Sequence, residues 1–224
     1  MEHIFEQYLS GNMEKIYEID AVEIDNNTNT RLSQNIFSNI RKYAHPEYQY
    51  LNLVEQILEN GLWEHSRNGN TKSIFGHSMR FSLQNGTIPI ITTKKTAWKT
   101  CLKELLWFIS GNTNNNILQK QGVTIWNANA SRDFLYSRGL DHYKDGELGP
   151  IYGHQWRHFG APWNSENEND SIITGIDQLQ NIIDQLQNVE TRGSRRLIMS
   201  AWNPQQLDEM VLPPLSYYVS VQCS

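Results

Sequence analysis

Three groups of side chains in this 224-residue sequence have the types and spacing to do chemistry. The first lies in Gly193 to Leu215, GSRRLIMSAWNPQQLDEMVLPPL, where Arg195 and Arg196 stand immediately before an apolar run, Leu197 to Trp202. Guanidinium groups bind oxyanions bidentately and suit phosphate better than ammonium does. Taken alone, such a pair is usually a solvated surface feature. The same stretch ends in Leu212-Pro213-Pro214, a rigid segment that presents the residues after it. Rigid presentation suits a nucleophile, because held geometry removes much of the entropic barrier. The residues presented are Leu215-Ser216, and neither is an obvious nucleophile. The second group is Arg67 in the loop Ser66 to Thr71, where glycine and asparagine let backbone approach an anion. The third is Glu104, a lone carboxylate flanked by Leu105, Leu106 and Trp107. Such a group is costly to bury unless paired, so it reads either as a paired core glutamate or as a proton-handling residue.

The elements that must position these groups are legible in the hydrophobic pattern. Leu51, Val54 and Leu58 share a helical face, and Asn60-Gly61 supplies its stop. Met79, Phe81 and Leu83 alternate, Asn85-Gly86 turns, and Ile88 to Ile91 returns, which predicts a β-hairpin. Leu102, Leu105, Leu106 and Ile109 mark a helix closed by Gly111, and Ile176 to Leu186 marks another. Leu197 to Trp202 reads as a buried strand ended by Asn203-Pro204, with a helix-compatible stretch over Gln205 to Met210. Strands and helices mix without regular βαβ alternation, which favours an α+β fold. Residues 1–45 are acidic, then polar, then mildly amphipathic, and read as an N-terminal arm or linker before a domain over 46–224.

Composition excludes several classes. A net charge of -5 argues against a general DNA-binding or membrane surface. No run approaches the roughly 20 apolar residues of a spanning helix, and the start reads as neither signal nor transit peptide. Two cysteines, Cys101 and Cys223, give no disulfide framework, so a cytoplasmic, reducing location is expected. Cys101 reads as an inert buried thiol, and Cys223 as part of a loosely held tail. His154 and His158 are four apart but read as a strand-and-loop segment, so no metal site is expected there.

From Glu47 to Pro214 the chain resembles the thymidylate synthase family, block by block and in order. The blocks are Glu47 to Leu51, Ser73 to Gly76, Met79 to Phe81, Thr92 to Lys95, Glu104 to Thr113, Gly122 to Trp126, Leu148 to Ala161, and the Arg195 to Pro214 stretch. The resemblance implies a thymidylate synthase-like α+β fold, a mixed sheet with packed helices. It also implies transfer of a methyl group to dUMP from 5,10-methylenetetrahydrofolate, giving dTMP and dihydrofolate. Arg67 matches a ligand of the dUMP phosphate. Arg195 and Arg196 match a pair reaching that phosphate from the other subunit, so a homodimer is implied. Glu104 matches the proton-handling carboxylate, and Tyr152 the tyrosine that helps a water remove the C5 proton. Ile125, Trp126 and Asn129 match the folate site. The family loop after Arg67 reads Thr-Gly-Thr-Gly-Thr, and here it is one residue shorter before Ser73. The family's aspartate after the tryptophan is Asn127 here.

The main departure is the nucleophile. In the family Leu-Pro-Pro continues Cys-His, and the thiolate adds to C6 of uracil; here those positions hold Leu215 and Ser216. Covalent activation is needed because uracil C5 is a poor nucleophile, so the chain as written is expected to be inactive. Back-translated with one allowed codon choice and read one base on, Leu215 to Ser224 spells Cys-His-Ile-Met-Phe-Gln-Phe-Asn-Val, the family's pattern. The expectation is a one-base shift at codon 215 and an early stop, leaving the C-terminal part of the fold missing. A genuinely diverged loop is the other reading. Two other functions remain open: a non-catalytic dUMP-binding or regulatory relative, and a deoxycytidylate hydroxymethylase-type enzyme. In some relatives a dihydrofolate reductase domain precedes the synthase, and residues 1–45 then read as a linker remnant.

Overall fold

The computed structural model describes residues 45–66, 69–164, 175–215 and 218–221. The chain divides between Lys95 and Thr96 into two compact units. In the first, helix α1 (Tyr48–Asn60) forms from a stretch without glycine or proline and stops at Gly61. The stop is in the predicted place but not in the left-handed form, since Gly61 is extended at φ -65, ψ 144. Glycine is needed there for another reason: a Cβ would collide with the Ile57 carbonyl oxygen. Strands β1 (Leu62–Ser66) and β2 (Gly69–Ser73) come next as an antiparallel hairpin, from Leu62 opposite Ser73 to Ser66 opposite Gly69. Arg67, at its tip, lies outside the described residues.

Glu47, just before α1, ties the start of this unit to its end. Its carboxylate accepts hydrogen bonds from the Thr92 and Thr93 amides at 2.8 and 3.0 Å and from both hydroxyls at 2.5 and 2.8 Å. Burial pushes its pKa up, but these four donors outweigh it and hold the group down at about 2. Gln49 works similarly, its amide accepting from the Arg80 N–H at 2.8 Å and donating to the Arg80 carbonyl at 2.7 Å.

The hairpin predicted around Asn85-Gly86 is not formed. Its turn is present: Asn85 and Gly86 lie at φ 59 and 73, and the Thr87 N–H bonds the Gln84 carbonyl at 3.2 Å. Positive φ at both central residues is what a tight hairpin turn needs. No ladder joins the flanks, and Met79, Leu83, Ile88 and Ile90 are exposed. Without a face packed on a core, a two-stranded ladder is marginal.

The second unit holds α2 (Trp98–Ile109), α3 (Asn115–Lys120), α4 (Arg132–Ser137), α5 (Tyr152–His158), α6 (Gln178–Gln187), β3 (Ile198–Ser200), a 3-10 turn (Pro204–Glu209) and β4 (Tyr218–Ser220). The helix predicted from Ile176 begins at Gln178, because Asp177 caps it through its side chain to the Gln180 N–H at 2.9 Å. Ile176 instead bridges Phe159. β3 falls within the predicted buried strand and pairs antiparallel with β4, Ile198 opposite Ser220. After the strand, Asn203 caps a 3-10 turn by accepting the Gln205 N–H through its side chain, where the sequence indicated a turn and then a helix-compatible stretch. The core is built from Trp107, Leu118, Val123, Trp126, Leu135, Leu148, Ile151, Met210 and Val211. Helices and small antiparallel sheets together make the α+β class. No helix among the described residues is long and apolar enough to cross a membrane.

Candidate active site

α2 carries Glu104 and ends at Ile109; Gly111, just past its Ser110 cap, has a φ of 78 that favours glycine, and a side chain there would press on Arg157 and His158. One turn beyond Glu104, Trp107 turns inward and donates its indole N–H to Asn112 at 2.9 Å. Asn112 in turn accepts from the Asn114 amide at 2.8 Å, so the helix end and the loop after it are locked together. Glu104 is half-buried, and its Oε1 accepts the Trp126 indole N–H at 2.8 Å. The carboxylate expected to need a partner therefore has one, and the partner is another residue the sequence singled out.

Trp126 is 8% exposed. Its ring lies 6.5 Å from Trp107 and, edge on, 6.4 Å from Tyr152. Tyr152 opens α5 and stacks on Phe108 at 4.7 Å. Its hydroxyl oxygen accepts the backbone N–H of Leu215 at 2.7 Å. Glu104, Trp126, Tyr152 and position 215 thus meet along one aromatic wall, reached from α2, the loop after α3, α5 and the Pro-Pro segment. Ile125, half exposed, adjoins Trp126 in the chain, and Asn129 is half-buried nearby in sequence.

The remaining expected residues do not join this group. Arg195 and Arg196 are exposed in the turn before β3, with no ion-pair partner among the described residues. Arg67, Ser216 and Cys223 lie outside the described residues. Cys101 is exposed rather than buried, because its position on α2 faces away from the Trp107 side. His154 and His158 stand on helix α5, not in a strand and loop. Gly153 gave no hint of a helix, yet it is needed inside it: a Cβ would strike the Asn112 carbonyl oxygen of the neighbouring loop. His154 is buried against the Ala161 carbonyl at 3.1 Å, and burial pushes its pKa below the usual histidine value. Burial likewise lowers that of His158. Among the described residues, no three histidine, cysteine, aspartate or glutamate side chains gather as a metal-binding group.

Sequence reasoning missed the polar scaffold behind the wall. Gln155, fully buried, donates to the Pro150 carbonyl at 2.8 Å and to Gln206 Oε1 at 3.0 Å. Asn203 donates to the same Gln206 oxygen at 2.8 Å, and Gln206 donates to the Ala161 carbonyl at 3.1 Å. Gln178 donates to the Gln155 and Ser200 carbonyls at 2.7 and 2.8 Å, joining α5, α6 and β3. Arg157 adds an ion pair to Asp177 at 2.8 Å and a bond to the Ile109 carbonyl at 2.8 Å, at the end of α2. The signal was present as amide side chains set among apolar neighbours, as in Tyr152-Gly153-His154-Gln155-Trp156.

Residues 48–224 match the family model for thymidylate synthase. The chain is 46% identical over 199 residues to a bifunctional dihydrofolate reductase-thymidylate synthase of Zea mays, covering 87% of this chain and 37% of that protein. It is 49% identical over 173 residues to thymidylate synthase of Equine herpesvirus 2, covering 76% and 58%. To thymidylate synthase of Homo sapiens it is 48% identical over 171 residues, covering 76% and 53%. The chain therefore spans little more than a third of the first of these relatives and somewhat over half of the other two. A family match over most of the sequence, joined to the convergence of Glu104, Trp126 and Tyr152, places this chain in the thymidylate synthase family.

Proposed function

We propose that this chain presents a thymidylate synthase-type site that takes dUMP and 5,10-methylenetetrahydrofolate but lacks the nucleophile for methyl transfer to dUMP. The observation that carries this reading is the hydrogen bond between Trp126 and Glu104, with Tyr152 edge-on to the same indole and its hydroxyl meeting the backbone of residue 215. Glu104 spends one oxygen on the indole, and its other oxygen has no partner among the described residues, so it serves proton handling at the pyrimidine. Tyr152 supplies a phenol for a water that removes the C5 proton. Ile125 offers exposed apolar surface beside Trp126, a setting that fits a flat pterin ring, with Asn129 as a polar contact. When bound, the folate supplies the one-carbon unit and the hydride. Arg67, Arg195 and Arg196 are the phosphate ligands of this reading, the pair acting across a homodimer. Leu215 forms no bond to C6, so binding without turnover is the expected state.

Calorimetric titration with dUMP and a dTMP-formation assay test this. Expected are measurable dUMP binding, weakened at least about tenfold by Arg195→Ala with Arg196→Ala, and no dTMP. Leu215→Cys with Ser216→His tests whether the nucleophile is the missing part. No binding at millimolar dUMP would end the proposal, and turnover by the unaltered chain would end the assignment of residue 215.

A further inference from the structure

Three backbone donors around the Pro-Pro segment, those of Met210, Val211 and Leu215, have identified acceptors. The Met210 N–H donates to the Leu207 carbonyl at 3.3 Å and the Val211 N–H to the Leu148 carbonyl at 3.2 Å. Pro213 and Pro214 have no N–H to give. Leu215 is the next donor after Leu212, and it spends its N–H on the Tyr152 hydroxyl oxygen at 2.7 Å. The Leu215 residue is 89% exposed, so burial of its side chain does not hold it in place. The acceptor, by contrast, is immobilised. Tyr152 comes directly after Ile151, which is fully buried, and its ring is held between Phe108 at 4.7 Å and Trp126 at 6.4 Å.

We infer that Tyr152 is a positioning residue: its hydroxyl oxygen pins the backbone of residue 215, so the side chain there is presented from a fixed point beside the aromatic wall. Di-proline rigidity sets the direction of the segment, and the phenol sets where it ends. Because the oxygen accepts from the amide, its own proton is left to be donated into the site, and one phenol serves two tasks. The inference rests on residue 215 as the nucleophile position, but its test does not depend on nucleotide binding.

Hydrogen exchange read by mass spectrometry on the full chain supplies that test. A fragment of residues 212–215 carries one exchangeable backbone amide besides its own amino terminus, that of Leu215. Expected is a protected amide in the parent chain and exchange about tenfold faster or more in Tyr152→Phe, the equivalent of one lost hydrogen bond. The α5 amides should be unchanged, since phenylalanine keeps the stacking on Phe108. An unprotected Leu215 amide in the parent overturns the inference without any variant. So does an unchanged rate in Tyr152→Phe, or a loss of protection spreading through α5, which would make the role merely structural. Failure to bind dUMP with the Leu215 amide still protected would sink the proposed function alone.

Discussion

At the scale of single residues, the departures from the family pattern are the informative ones. Asn127 replaces an aspartate, and its Oδ1 accepts both the Asn115 amide at 3.1 Å and the Gln119 amide at 3.0 Å. A carboxylate accepts such bonds more strongly than an amide oxygen. Asn127→Asp is therefore expected to stabilise the second unit by about 1 kcal/mol, and an unchanged or lowered melting temperature would contradict this. Glu47 makes a prediction of opposite kind. Its folded pKa of about 2 lies below the ordinary 4.5, so the native state favours the charged form. The stability it contributes is full above pH 4.5 and is lost as pH falls towards 2. Urea midpoints tracked down this range should fall less steeply in Glu47→Gln, which starts from a lower value at neutral pH.

At the scale of elements, the second unit is held by amide side chains as much as by its apolar core. Gln155, Asn203 and Gln206 satisfy one another and two backbone carbonyls in a fully buried setting. Gln155→Leu takes the donor from the Pro150 carbonyl and removes the 3.3 Å bond from the Asn203 amide to Gln155 Oε1, at a cost of about 1–3 kcal/mol for each buried group left unpaired. Chemical denaturation should show a loss of that order, and a near-neutral result would mean that water replaces the amide. The helix positions were legible because their apolar periodicity and glycine stops are local signals. The Asn85-Gly86 ladder and helix α5 were not, and for a common reason. Alternation names a strand only where something covers one face, and Gly153 weakens a helical pattern only where no close neighbour requires it.

At the scale of the whole molecule, apolar exposure sets the solution behaviour. α2 leaves Trp98, Leu102, Leu105 and Leu106 between 45% and 55% exposed. Contiguous apolar surface of this kind drives association. Light scattering is expected to show species above the monomer mass, and Leu102→Glu with Leu106→Glu should reduce them; a clean monomer in the parent chain would refute this. Self-association of this face is compatible with the homodimer proposed from the arginine pair. A folded variant that stays dimeric would place the subunit contact elsewhere.

The sequence by itself determined the family, the helices that carry Glu104 and come after Glu47, the short strand after Arg196, and the presence of leucine where a thiol is expected. These are local facts, written in residue order and hydrophobic period. Only the tertiary structure decided that Glu104 pairs with Trp126, that the Leu215 amide meets Tyr152, and that Gln155 joins Gln206 across 51 positions. Partners so distant along the chain leave no periodic trace. Their meeting depends on how helices and loops pack, and packing is set by the shape and burial of all their neighbours at once.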